Sequence, residues 1–120
     1  MINFKYLFNF GSCGYYCLKH VIGKVTVNNK KYLSLYDIGE VLKNNNYSCL
    51  CVRLNKINDI LFECITLLKV NSSSYHYVVL KRMSEKYIYF YDPLFLFIRR
   101  IRIEQFERKW SKVCLFYTKV

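Results

Sequence analysis

The sequence predicts an α+β domain in which N-terminal helices pack on an antiparallel β-sheet, and three observations lead there. The longer helical patterns lie in the first part of the chain, β-rich runs with short polar interruptions dominate the rest, and so helices come before the sheet. With 120 residues and 53% hydrophobic content, the chain has the length of one domain and the apolar surface for a core. A single proline, four glycines and no Ser/Gly/Pro-rich tract leave no linker, so residues 1–120 read as one unit.

Ser12 is placed to cap a helix beginning at Cys13, in which Cys17, Leu18, Val21 and Ile22 recur at helical spacing until Gly23. Ser34-Leu35-Tyr36-Asp37 resembles a capping box; Leu35, Ile38, Val41 and Leu42 then share one face, and Asn44-Asn45-Asn46 stops the second helix. From Tyr47 to Leu54 the chain alternates, Leu50, Val52 and Leu54 against Cys49, Cys51 and Arg53, as in a half-buried strand. Residues 55–62 predict a short helix. Cys64–Val70, Tyr75–Arg82 and Lys86–Tyr91 are three β-rich runs that read as an antiparallel meander. Phe95–Arg102 predicts a further strand, Glu104–Trp110 a helical turn or two carrying Phe106 and Trp110 inward, and Val113–Tyr117 a closing strand.

The formal charge is +11, which is compatible with nucleic acid, anionic lipid or an acidic peptide as partner. Lys and Arg are scattered from Lys5 to Lys119, however, with no more than short clusters such as Lys81-Arg82 and Arg99-Arg100-Ile101-Arg102, so they read as solvated faces and no nucleic acid is expected. Tyr87, Tyr89 and Tyr91 make one face of a strand aromatic. Such a face can stack bases, but a packed or half-exposed sheet surface is the simpler reading. The N-terminus lacks the pattern of a secretory signal, so the six cysteines read as reduced thiols and a cytoplasmic protein is expected. No Cys-x-x-Cys pair signals zinc, and Cys49, Cys51, Cys64 and Cys114 read as small core residues. The apolar runs around Tyr87–Tyr91 and Leu94–Ile98 are split by Asp92-Pro93 and are too short to span a bilayer.

A thiol is nucleophilic as thiolate, which a helix N-terminus and a nearby imidazolium both favour. Cys13 is placed for the first effect, and Gly14 after it keeps the approach to the sulfur open. Cys17 falls on the apolar stripe and reads as core. Of the two histidines, His20 lies two turns along the same helix, roughly 10 Å away, beyond hydrogen-bonding reach of Cys13. His76 remains as the base. A turn centred near Ser84 would set residue 76 opposite Asp92, which could then fix the imidazole tautomer. A strand histidine and an Asp before Pro also have ordinary roles, in hydrogen bonding and in starting turns, so the residues alone leave both readings open.

Ser12-Cys13-Gly14-Tyr15-Tyr16-Cys17-Leu18 resembles the Asp-Cys-Gly-x-x-Cys-Leu signature of the peptidase domains at the N-terminus of bacteriocin-exporting ABC transporters. His76-Tyr77-Val78-Val79-Leu80 is similar to that family's His-Phe-Val-Val-Leu strand, and Asp92-Pro93 to its Asp-Pro element. Ile103 through Ser111 resembles its closing helix and Trp. The resemblance implies a papain-like cysteine peptidase fold, with Cys13 as nucleophile, His76 as base and Asp92 orienting it. It further implies cleavage of precursor peptides after a double-glycine leader end, with no metal or other cofactor.

Two departures accompany the resemblance. The family carries a glutamine shortly before the nucleophile that contributes to the oxyanion hole with the nucleophile's backbone N–H; here no Gln precedes Gln105, and Asn9 is the nearby amide. The interval from Cys13 to His76 is also shorter than usual. A degenerate relative that binds a precursor or export partner without cutting it is the alternative. With no phosphate-binding loop and no span, the sequence reads as a free-standing peptidase or part of a machine whose ABC exporter is separately encoded.

Overall fold

The computed structural model describes residues 10–25, 33–61, 63–71 and 74–120, with the side chains of residues 10–12 excepted. Helix α1 runs Phe10–Ile22. It begins three residues before the predicted start, so Ser12 lies inside it and Cys13 closes its first turn. Gly23 ends it as expected, with φ of 81° and its N–H bonded to the Lys19 carbonyl at 2.8 Å. In α2, Leu35–Asn44, the capping box is complete: Ser34 Oγ accepts from the Asp37 N–H at 3.1 Å and Asp37 Oδ2 accepts from the Ser34 N–H at 3.0 Å. Asn46, at φ 68°, turns the chain into the first strand.

The strands are β1 Tyr47–Arg53, β2 Cys64–Asn71, β3 Ser74–Met83, β4 Tyr87–Asp92, β5 Phe97–Arg102 and β6 Trp110–Lys119. Helix α3, Ile103–Lys109, precedes β6, and the helix predicted over 55–62 is a single 3₁₀ turn, Ile57–Asp59. All pairings are antiparallel, in the order β1-β6-β2-β3-β4-β5. The meander β2-β3-β4 is as predicted, while β6 inserts between β1 and β2. That insertion leaves β1 at an edge, where Leu50 is 63% exposed and Cys51 is exposed. The alternation expected of β1 is only partly kept: Tyr47, Cys49 and Val52 are half-buried, while Leu50 faces solvent.

The sheet has a core on each face. Helices α1 and α2 cover one, where Cys13, Cys17, Leu18, Ile38 and Leu42 pack on Ile65, Tyr77, Val79 and Leu115. Helix α3 covers the other, where Phe106 packs with Val78, Leu80, Phe90 and Trp110. Successive β3 residues therefore serve opposite layers.

Gly14 is buried between the helices. A Cβ there would meet Leu33 Cβ at 3.1 Å and Ile38 Cδ1 at 3.2 Å. Its role is close packing of α1 on the segment entering α2, not clearance for the sulfur. Gly14→Ala gains helix propensity but overpacks this contact, for a net loss of about 1 kcal/mol. Thermal unfolding is expected to shift down by about 5 °C; an unchanged or raised midpoint would contradict this packing role.

Candidate active site

His76 sits near the start of β3 and Asp92 ends β4; they are 6% and 0% exposed. His76 Nε2 lies 3.2 Å from Asp92 Oδ1, at hydrogen-bonding distance though out of line for a bond. The register differs from the sequence expectation. Met83 pairs with Ile88 and Arg82 with Tyr89, an irregularity follows, and then Leu80 pairs with Phe90 and Val79 with Tyr91. Continuing that register sets Asp92 opposite residue 78, two residues from His76. An offset of two keeps both side chains on one face as diagonal neighbours, which is why the contact survives the shift.

Asp92 is held by three groups. Besides His76, the Leu94 N–H donates to Oδ1 at 2.9 Å, an Asx turn begun at Asp92-Pro93, and Arg99 Nη1 donates to Oδ2 at 2.9 Å. Burial alone would push the carboxyl up; the contacts with His76, then Arg99 and the Leu94 N–H, outweigh it and hold Asp92 below the ordinary carboxylate value. The imidazole thus faces Asp92 with its Nε2 edge, and both of its buried ring nitrogens are without an aligned hydrogen bond among the described residues.

Cys13 arrives from the other face. Its sulfur accepts a hydrogen bond from the backbone N–H of Tyr77, the residue after His76, and it feels the charge of Asp92. The β3–β4 ladder stops at Val79 and Tyr91, so the thiol meets β3 beyond the point where the two strands are paired. The structure therefore brings the three predicted residues to one end of the β3–β4 pair. It alters the electrostatic expectation: burial, reinforced by Asp92, pushes the Cys13 thiol up to about 11, and the Tyr77 N–H only partly offsets this. A side chain 2% exposed loses more by desolvation than the first turn of a helix returns.

Cys17 is fully buried one turn further on, as expected of a core residue. His20 stacks on Tyr91, ring centroids 4.2 Å apart and 9° from parallel, and takes no part in the cluster. Asn9 lies outside the described residues. A cavity of about 260 Å³ opens beside the His76–Asp92 pair, lined also by Leu94, Arg99, Gln105 and Lys109.

Arg99 is the site residue that sequence reasoning missed, since it was read as part of a solvated basic run. Its signal was the hairpin: β5 pairs Phe97 with Asp92 and Arg99 with Phe90, so Arg99 and Asp92 share a face two positions apart. Its guanidinium also lies 4.5 Å from the Phe95 ring centroid. Arg99→Met removes one contact that keeps Asp92 ionised, so the acid-side fall in peptidase activity is expected to begin at higher pH, with Arg99→Lys restoring part of the difference. An unchanged pH profile would remove Arg99 from the positioning of Asp92.

The sequence profile of the Peptidase C39 family matches residues 8–120. Among solved structures, the peptidase domain of Streptococcus mutans ComA has a TM-score of 0.72 at 19% identity, covering 89% of this chain and 91% of that one. A double glycine motif protease from an AMS/PCAT transporter, solved in complex with the leader peptide, gives 0.74 at 22% identity, covering 91% and 85%. The N-terminal peptidase C39 like domain of the toxin secretion ATP-binding protein from Vibrio parahaemolyticus gives 0.64 at 9% identity, covering 93% and 97%. No curated protein matches significantly. At these identities the structures establish the shared fold, three helices on a six-stranded antiparallel sheet among the described residues. The profile spans nearly the whole chain and establishes the family: this chain belongs to the peptidase C39 family of cysteine peptidases.

Proposed function

We propose that this chain removes leader peptides from bacteriocin-like precursors after a double-glycine-type site, with Cys13 as nucleophile, His76 as general base and acid, and Asp92 orienting His76. The observation that carries the reading is the contact of His76 Nε2 with Asp92 at 3.2 Å, on the strand that also meets the Cys13 sulfur. The resting thiol is neutral at pH 7, since burial holds it near 11. His76 takes its proton as Sγ attacks the carbonyl carbon of the second glycine, then gives that proton to the departing amine. Water, deprotonated by His76, hydrolyses the resulting thioester. The Cys13 backbone N–H and the Asn9 side chain are the proposed oxyanion donors; where one donor is poorly placed, the rate falls by about 10² to 10³.

Burial supports the choice of scissile bond. With Cys13 2% and His76 6% exposed, an extended segment without side chains fits the approach, which favours glycine on the leader side. The partners proposed are a leader-bearing precursor and an ABC exporter, on the cytoplasmic side of the membrane. No described helix is long and apolar enough to cross a membrane.

The test is mass spectrometry of a synthetic precursor incubated with the chain under reducing conditions. Release of a leader ending in Gly-Gly, abolished when both glycines are replaced by leucine, is the expected result. Intact precursor with measurable binding would assign the chain to the non-catalytic reading.

A further inference from the structure

The β4–β5 hairpin presents four consecutive large apolar side chains to solvent: Phe95, Leu96, Phe97 and Ile98 are 46%, 53%, 55% and 44% exposed. Single exposed apolar residues are ordinary, but a contiguous run at a turn is not what folding alone selects. Leu96 adds a second observation. Its φ is 57°, a left-handed conformation that glycine or asparagine adopts at lower cost, so an apolar side chain occupies the position that suits it least. The Phe95 and Phe97 rings meet edge to face at 5.9 Å.

Further along β5 come Arg100 and then Arg102, Arg99 between them and the tip being held by Asp92, and residues 93–103 contain no acidic side chain. Arg100 and Arg102 lie over the Tyr87 ring at 4.3 and 6.0 Å, and neither forms an ion pair among the described residues. The hairpin is also the edge of the sheet, with β5 last in the strand order.

We propose that this tip docks on an anionic lipid bilayer, with residues 95–98 entering the boundary between headgroups and acyl chains and the arginines meeting lipid phosphates. The order along the hairpin, apolar tip and then cationic collar, matches the layering of a bilayer surface met from water. Phe97 and Ile98 alternate to opposite faces of the strand, so the apolar surface wraps a convex tip, which inserts into a fluid layer more readily than it cradles a peptide. The charge of +11 supplies long-range attraction to such a surface.

The test is co-sedimentation with vesicles of phosphatidylcholine alone and of phosphatidylcholine with phosphatidylserine, near physiological salt, for the unaltered chain and Phe97→Ser/Ile98→Ser. Both positions are exposed and the net charge is unchanged, so the variant isolates insertion from charge attraction. The proposal predicts binding to the anionic vesicles only, with a partition coefficient at least about tenfold lower in the variant. Equal binding by the two proteins would reduce the effect to bulk charge and overturn the proposal. Absence of vesicle binding would overturn it too. A raised KM for precursor in the variant, with no vesicle effect, would assign the tip to peptide contact instead.

Discussion

His76→Ala is expected to lower kcat/KM for precursor cleavage about 10⁴-fold at neutral pH. The magnitude follows from the buried thiol. With Cys13 held near 11, a group four pH units below its midpoint is ionised to about one part in 10⁴ at pH 7. The imidazole is what makes the thiol usable there. Without it, the activity that remains is expected to climb as pH is raised toward 11 and the thiolate forms unaided, whereas the unaltered chain passes through a plateau. A loss smaller than tenfold, or a residual rate indifferent to pH, would contradict the role given to His76.

Asp92→Asn is expected to be the next most damaging change. The amide keeps the shape but lacks the charge, so it supports neither an imidazolium nor the same tautomer, a loss of about 10² to 10⁴ in kcat. It also leaves the Arg99 guanidinium without its carboxylate; because the Arg99 side chain is 35% exposed and can rehydrate, the cost at neutral pH is about 1 to 2 kcal/mol. The sign of the pH dependence follows from the lowered carboxyl. A carboxylate whose folded value lies below its unfolded value of about 3.9 contributes fully above that pH and loses its contribution as pH falls through the folded value. Urea unfolding is therefore expected to show a large gap between the two proteins at pH 7 that narrows below pH 4. A gap that stays constant would mean that Asp92 acts by shape and not by charge.

Much of this was legible in local sequence. Ser34 with Asp37, Gly23 and the Asn44–Asn46 stop are short-range signals, and the structure uses each of them. The order of helices before sheet and the β2-β3-β4 meander also follow from local pattern. What local pattern did not carry was contact between distant segments. The insertion of β6 between β1 and β2 decides that Leu50 is exposed, and nothing near Leu50 announces it. The β3–β4 turn is centred between Glu85 and Lys86 and not at Ser84, and the irregularity between Leu80 and Arg82 then shifts the register by one, so Asp92 falls opposite residue 78: the expected pairing was off by two residues, and the irregularity is what keeps Asp92 on the His76 face. Arg99 was hidden for a related reason: its run of like charges looks solvated until the hairpin register sets one member against a buried carboxylate. The thiol of Cys13 depends on burial, which motif spacing does not report.

The measurement that bears most directly on the central claim compares the unaltered chain with Cys13→Ala, each incubated with a synthetic double-glycine precursor and read by intact-mass spectrometry. The prediction is leader released after the second glycine by the unaltered chain and none by Cys13→Ala, with the precursor still bound. Release of the same product by Cys13→Ala would contradict the assignment of Cys13 as nucleophile.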